Sequence, residues 1–127
     1  MSASQENGSA EVREVMERYA DATFRADIDA LRSTFHAAAS MVGYLGDELL
    51  VGTPEPFFDD IVGRRPSMAE SDAPYEADVS AIQVAGRVAS ATVEESGFFG
   101  AMSFVNYFHL LNVEGDWKIV SKTFQSL

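Results

Sequence analysis

The strongest constraint on this chain comes from two segments separated by a tight turn, residues 102–112 (MSFVNYFHLLN) and 117–124 (WKIVSKTF). Both are rich in aromatic and β-branched residues, and the Val113-Glu114-Gly115-Asp116 stretch between them carries turn chemistry, so they read as a long antiparallel hairpin. A hairpin alone is marginal in water and needs a second layer to cover its apolar face. Residues 10–25 supply one: Val12, Val15, Met16, Tyr19, Ala20 and Phe24 recur at helical spacing and form one apolar stripe.

The rest of the chain fits between these two features. Ser9 is placed to cap the first helix, and Asp27 a short second one over residues 28–35, with Ile28, Leu31 and Phe35 inward. Residues 41–45 and 48–51 read as a small hairpin around Gly46-Asp47. Thr53-Pro54-Glu55 opens a third helix over residues 54–62, which carries Phe57, Phe58, Ile61 and Val62. Residues 64–74 form a loop containing Pro66 and Pro74. Two more strands follow, residues 77–85 and 88–96, turning at Gly86-Arg87; Gly97 and Gly100 bracket the next turn, and the closing strand reaches about residue 126. The order ααββαββββ predicts an α+β domain with helices on one side of a curved sheet. Residues 1–8 are polar and read as a flexible N-terminal arm, and residues 9–127 as one domain.

Charge and residue usage exclude several function classes. The net charge is −11 from 127 residues and the nine basic side chains are scattered, which opposes binding to nucleic acid or to an anionic membrane. The chain has no cysteine and its two histidines, His36 and His109, form no ligand pair, so neither thiol chemistry nor a metal site is expected. With no membrane-length apolar run and no apolar leader core, the expectation is a cytoplasmic protein. No cofactor is expected.

The chain resembles the NTF2-like superfamily, a fold shaped as a cone with three helices of the N-terminal half packed on a strongly curved antiparallel sheet. The resemblance covers about residues 10–124 and is carried by Tyr19 with Phe35-His36, by Ala81-Ile82 through Val88-Ala89, and by Asn106-Tyr107-Phe108 with Gly115-x-Trp117-Lys118-Ile119-Val120-x-Lys122-x-Phe124. Those stretches are most similar to the Putative lumazine-binding family, one of its small bacterial branches. Ketosteroid isomerase is similar in fold and sets its chemistry with a helix tyrosine, a strand aspartate base and a second, late-strand aspartate. The resemblance puts those positions on Tyr19, Gly43 and Asn106. Glycine takes no proton, so isomerase chemistry by that route is not expected.

Strand alternation places Phe104, Asn106 and Phe108 on one face and Val105, Tyr107, His109 and Leu111 on the other. By the resemblance, Val120, Lys122 and Phe124 point into the cone, with Trp117 and Ile119 of opposite parity. The expected ligand-binding set is therefore Tyr19, Phe35, Phe57, Phe104, Asn106, Phe108, Lys122 and Phe124, around a small, partly apolar molecule. The alternative is a filled core in which Asn106 satisfies backbone groups and Lys122 extends its ammonium to solvent. One of Phe57 and Phe58 should line the cavity. His36 and Tyr19 are the candidate proton carriers, with His36 read more simply as a capping or surface residue. The resemblance implies a homodimer through the outer sheet face, with Val105, Tyr107 and His109 in the interface. Three functions stay open: a non-catalytic binding pocket, a protein-interaction scaffold with a plugged cone, and an isomerase-, cyclase- or dehydratase-type enzyme.

Overall fold

The computed structural model describes residues 3–127, with side chains described from Gly8 onward. Its elements are α1 (Ala3–Arg25), α2 (Ile28–Ser33), β1 (Phe35–Leu45), β2 (Glu48–Gly52), α3 (Glu55–Gly63), β3 (Glu76–Ala85), β4 (Val88–Phe98), β5 (Met102–Val113) and β6 (Asp116–Ser126). This is the expected ααββαββββ order. The six strands form a single sheet in the order β2-β1-β6-β5-β4-β3. All neighbours are antiparallel except β1 and β6, which run parallel, so the sheet is mostly antiparallel, as expected, with one parallel pair that the sequence reading did not place.

Two boundaries differ most from the sequence reading. Helix α1 starts at Ala3, well before a Ser9 cap, and Gly8 lies close against β3: a Cβ there would sit 3.0 Å from Val84. The predicted arm is therefore helical from Ala3 onward, while its first two residues lie outside the described ones. Phe35 and His36 do not end a helix. The chain turns at Thr34, whose backbone N–H and hydroxyl both donate to Leu31, and Phe35 opens β1 beside Ile119 of β6. Asp27 does cap α2, accepting the Ala30 N–H at 3.2 Å.

The apolar stripe of α1 lies on the sheet. Val12, Val15, Met16 and Tyr19 are buried there with Leu31 of α2, Phe58 of α3, and Ala89, Ala91, Val93, Phe108, Leu110 and Ile119 of the sheet. A second, smaller cluster gathers Ile61, Met68 and Phe98 where the loop after α3 crosses the end of β4.

Irregularities in the ladders bend this sheet. The register shifts in β3 between Ser80 and Gln83, where Ala81 takes a positive φ of 53°. It shifts in β4 after Glu95, where Gly97 has φ 65° and a Cβ would overlap the Pro74 carbonyl. It shifts again where His109 faces Ser121 but Leu110 faces Ile119, which leaves Val120 as an extra residue in β6. Each bulge raises the local twist and re-aims side chains. The one at Val120 overturns the predicted parity of β6: Trp117 and Ile119 are buried on the same side as Lys122 and Phe124, and Val120 is only half-buried. Trp117 then reaches α1, its indole N–H donating to Glu11 at 3.1 Å.

Candidate functional site

Between α3, the β1–β2 hairpin and the concave face of the sheet lies a cavity of about 300 Å³. Its walls include Phe57 and Pro56 from α3, Met41 and Leu50 from the hairpin, Phe98 from β4, Phe104 and Asn106 from β5, and Lys122 and Phe124 from β6. Its lining is mostly apolar, the composition of small-molecule sites. Among the polar groups on it are Lys122, Asn106 and Glu95, each no more than about 5% exposed.

Lys122 is held by aromatic rings rather than by a carboxylate. Its Nζ lies 3.9 Å from the centre of the Phe57 ring, 5.2 Å from that of Tyr19 and 5.9 Å from that of Phe124. It donates one hydrogen bond, to the Tyr19 hydroxyl at 2.7 Å. None of the ion pairs within 4.0 Å among the described residues includes it. An ammonium has three donors, and two of them meet no hydrogen-bond acceptor among the described residues. Burial pushes its pKa down to about 8, against the opposing pull of the Glu95 charge. Burial likewise raises Tyr19 well above the usual phenol range, helped by the charge of Glu95, so Tyr19 keeps its proton.

Glu95 is the site residue that the sequence reading missed. Its Oε2 accepts from the Tyr75 hydroxyl at 2.5 Å and its Oε1 from Asn106 Nδ2 at 2.6 Å. Burial and then the Glu95 charge hold Tyr75 above its ordinary range, so it remains a donor. Asn106 Nδ2 also donates to the Val93 carbonyl at 3.1 Å, and two acceptors on one nitrogen fix the amide orientation. Asn106 Oδ1 is then the single buried side-chain polar atom without a partner among the described residues.

The predicted set divides in two. Phe57, Phe104, Asn106, Lys122 and Phe124 line the cavity. Tyr19, Phe35 and Phe108 do not; they lie behind the wall as core, with the Tyr19 ring edge-on to Phe108 at 5.0 Å and Phe35 against Phe58 at 5.3 Å. Tyr19 reaches the site through its hydrogen bond to Lys122 and through its ring, stacked 6.3 Å from that of Phe57. Phe57 is the cavity member of its pair, and Phe58 is buried under the Arg32 guanidinium. His36 lies off the cavity wall on β1, its Nδ1 accepting the Ala38 N–H at 2.9 Å. Gly43 has no room for a base: any Cβ would overlap the Phe124 carbonyl oxygen and come within 2.7 Å of its ring. Glu95 could have been found from the alternation Ala89, Ala91, Val93, Glu95, which puts it on the face that three small apolar residues mark as inward.

The model of the family described as Putative lumazine-binding matches residues 7–125. The chain belongs to that family. Its NTF2-like architecture recurs in solved structures. An NTF2-like protein of unknown function from Silicibacter pomeroyi is 30% identical, with all of both chains covered and a TM-score of 0.81. A second from Shewanella baltica is 28% identical over all of this chain and 98% of its own, at TM-score 0.82. A third from Methylobacillus flagellatus is 26% identical over all of this chain and 95% of its own, at 0.85. No curated protein matches this Putative lumazine-binding chain. None of its described helices is long and apolar enough to cross a membrane.

Proposed function

We propose that the cone binds a small, flat, partly apolar molecule without transforming it by carboxylate-base isomerase chemistry. The ring stacks against Phe57, Phe104 and Phe124, and Lys122 donates to a carbonyl or anionic oxygen. A ring N–H reaching Asn106 Oδ1 would satisfy that orphaned acceptor, a kind of atom that calls for a ligand or a water. What carries this reading is a buried ammonium with two free donors on the wall of an apolar cavity of about 300 Å³. That volume is at the lower end of ligand sites and argues against a plugged scaffold. The family description makes lumazine, a flat ring system with carbonyl and N–H groups, the first compound to try.

The test is lumazine fluorescence titrated with the parent and with Lys122→Met and Asn106→Leu. Saturable quenching that weakens in both variants supports the site. Equal binding by all three proteins would remove these residues from it.

An enzyme of the dehydratase kind is favoured by one observation only, the buried Glu95 carboxylate beside the cavity. Turnover that survives Glu95→Gln would set it aside.

We also read the outer sheet face as a homodimer surface. Tyr107 is 57% exposed, Val88 50% and Val113 41% on one side of the sheet, with His109 among them and Val105 half-buried. Light scattering of the purified protein tests it, and a monomer at high concentration would refute it.

A further inference from the structure

We propose that Lys122 captures small aldehydes or ketones as an imine, so that the cavity holds a carbonyl compound by a reversible covalent bond. This inference rests on the reading of the cavity as a ligand site and names the chemistry that site would select.

Three features of the geometry converge on it. The amine is buried on the wall of a cavity large enough for an aromatic aldehyde. No carboxylate within 4.0 Å fixes it as an ammonium. The Tyr19 hydroxyl stands 2.7 Å from Nζ, in place to pass a proton. The groups acting on Nζ come from several elements. Tyr19 of α1 contributes its hydroxyl and ring face, Glu95 of β4 a favourable charge beyond ion-pair distance, and Phe57 of α3 its ring. Asp60 and Arg64 also line the cavity, but they pair with each other at 3.1 Å. Burial dominates, and with a pKa of about 8 roughly a tenth of Lys122 is free amine at about pH 7. An ordinary lysine, with pKa about 10.4, is almost wholly protonated there. Desolvated lysines of this kind are the ones that act as nucleophiles toward carbonyls.

The step balances without an outside redox partner. The neutral amine keeps an N–H on Tyr19 Oη and turns its lone pair to the cavity. Nζ attacks the carbonyl carbon, the C–N bond forms, and the π pair moves to oxygen. One N–H proton passes to that oxygen, with the Tyr19 hydroxyl as relay, giving a carbinolamine. The C–O bond then breaks, the hydroxyl takes the remaining N–H proton and leaves as water, and the nitrogen lone pair closes the C=N bond. Water reverses the sequence.

The sequence makes the test readable, since Lys118 and Lys122 are the only lysines. Lys118 is partly exposed and donates to the Ser33 carbonyl, so it serves as the internal reference. The protein is incubated with benzaldehyde and sodium cyanoborohydride from about pH 6 to about pH 10. Peptide mapping then gives the rate of benzylation at each lysine. The expected result is labelling of Lys122 roughly tenfold or more faster than Lys118 at neutral pH, the size set by the difference in free-amine fraction after allowing for lower nucleophilicity. The Lys122 rate saturates with benzaldehyde and rises with a midpoint near pH 8. Labelling of Lys122 no faster than Lys118, or linear in benzaldehyde to the solubility limit, overturns the proposal. Benzyl alcohol, which has the ring but no carbonyl, separates the two failures. If it binds by ligand-observed NMR, and less well to Phe57→Leu, while Lys122 stays unlabelled, the imine falls and the pocket stands. If it neither binds nor labelling occurs, both fall.

Discussion

Replacing Lys122 by methionine should stabilise this protein at neutral pH, although it removes a hydrogen bond. In the folded state the amine titrates at about 8, and in the unfolded chain near 10.4. Below pH 8 both states bind the proton, and folding carries the full cost of burying the charge. That cost is about 3 kcal/mol, from a shift of somewhat over two pH units at 1.36 kcal/mol each. That figure is already net of the attraction to the Phe57 ring; losing the hydrogen bond to the buried Tyr19 hydroxyl takes back about 1–2 kcal/mol, which leaves a net gain of about 1–2 kcal/mol for the methionine. Between about pH 8 and 10.4 the unfolded state binds more protons than the folded one, so the parent becomes more stable as pH rises and the gap closes. Urea unfolding of both proteins at about pH 7 and about pH 10 measures it, read as a change in midpoint at constant slope. Comparing the two proteins cancels the tyrosines that titrate in the same window. A methionine variant less stable than the parent at pH 7, or a gap that does not shrink by pH 10, would refute the assignment of Lys122 as a charge buried at net cost.

Three further outcomes follow from the geometry. Gly43→Ala should lower stability by at least about 2 kcal/mol, because the new methyl meets the Phe124 backbone, which cannot step aside as a side chain would; an unchanged melting temperature would contradict the close approach of β1 to β6. Asn106→Leu should cost about 1–3 kcal/mol by leaving Glu95 Oε1 without its amide donor, yet still give a cooperative melt; a cost below about half a kcal/mol would mean that the pair contributes little. Glu95→Gln removes the charge that props up the Lys122 pKa, so the Lys122 benzylation midpoint should fall below about 8; a midpoint that rises would show that Glu95 does not act on the ammonium.

Much of this architecture is written plainly in the chain. The α1 stripe, the Asp27 cap and the turn glycines each express a local preference that the fold obeys. Phe35 was less legible because a short apolar segment after a capped helix fits either a last helical turn or a first strand residue, and pairing with Ile119 decided it. The parity of Trp117 and Ile119 could not be read because one extra residue at Val120 reverses the alternation, and nothing local marks a bulge that lacks glycine. Lys122 and Asn106 were legible as inward residues, whereas Glu95 was hidden in a Glu94-Glu95 pair that resembles a solvated edge. The partners of a buried carboxylate lie on other strands, and no single-strand pattern reveals them.

The parallel pairing of β1 with β6 also governs the order in which the protein can be made. The strand at the middle of the sheet, β6, is the last of the six strands to be synthesised, and until residues 116–126 arrive the strands can pair only as two separate pieces, β2–β1 and β5–β4–β3. Joining them closes a loop from Phe35 to Ile119 and delivers the wall that carries Lys122 and Phe124 in the same event. The cavity and the completed sheet therefore come into being together, so a nascent chain has no finished pocket to offer an occupant before β6 is in place.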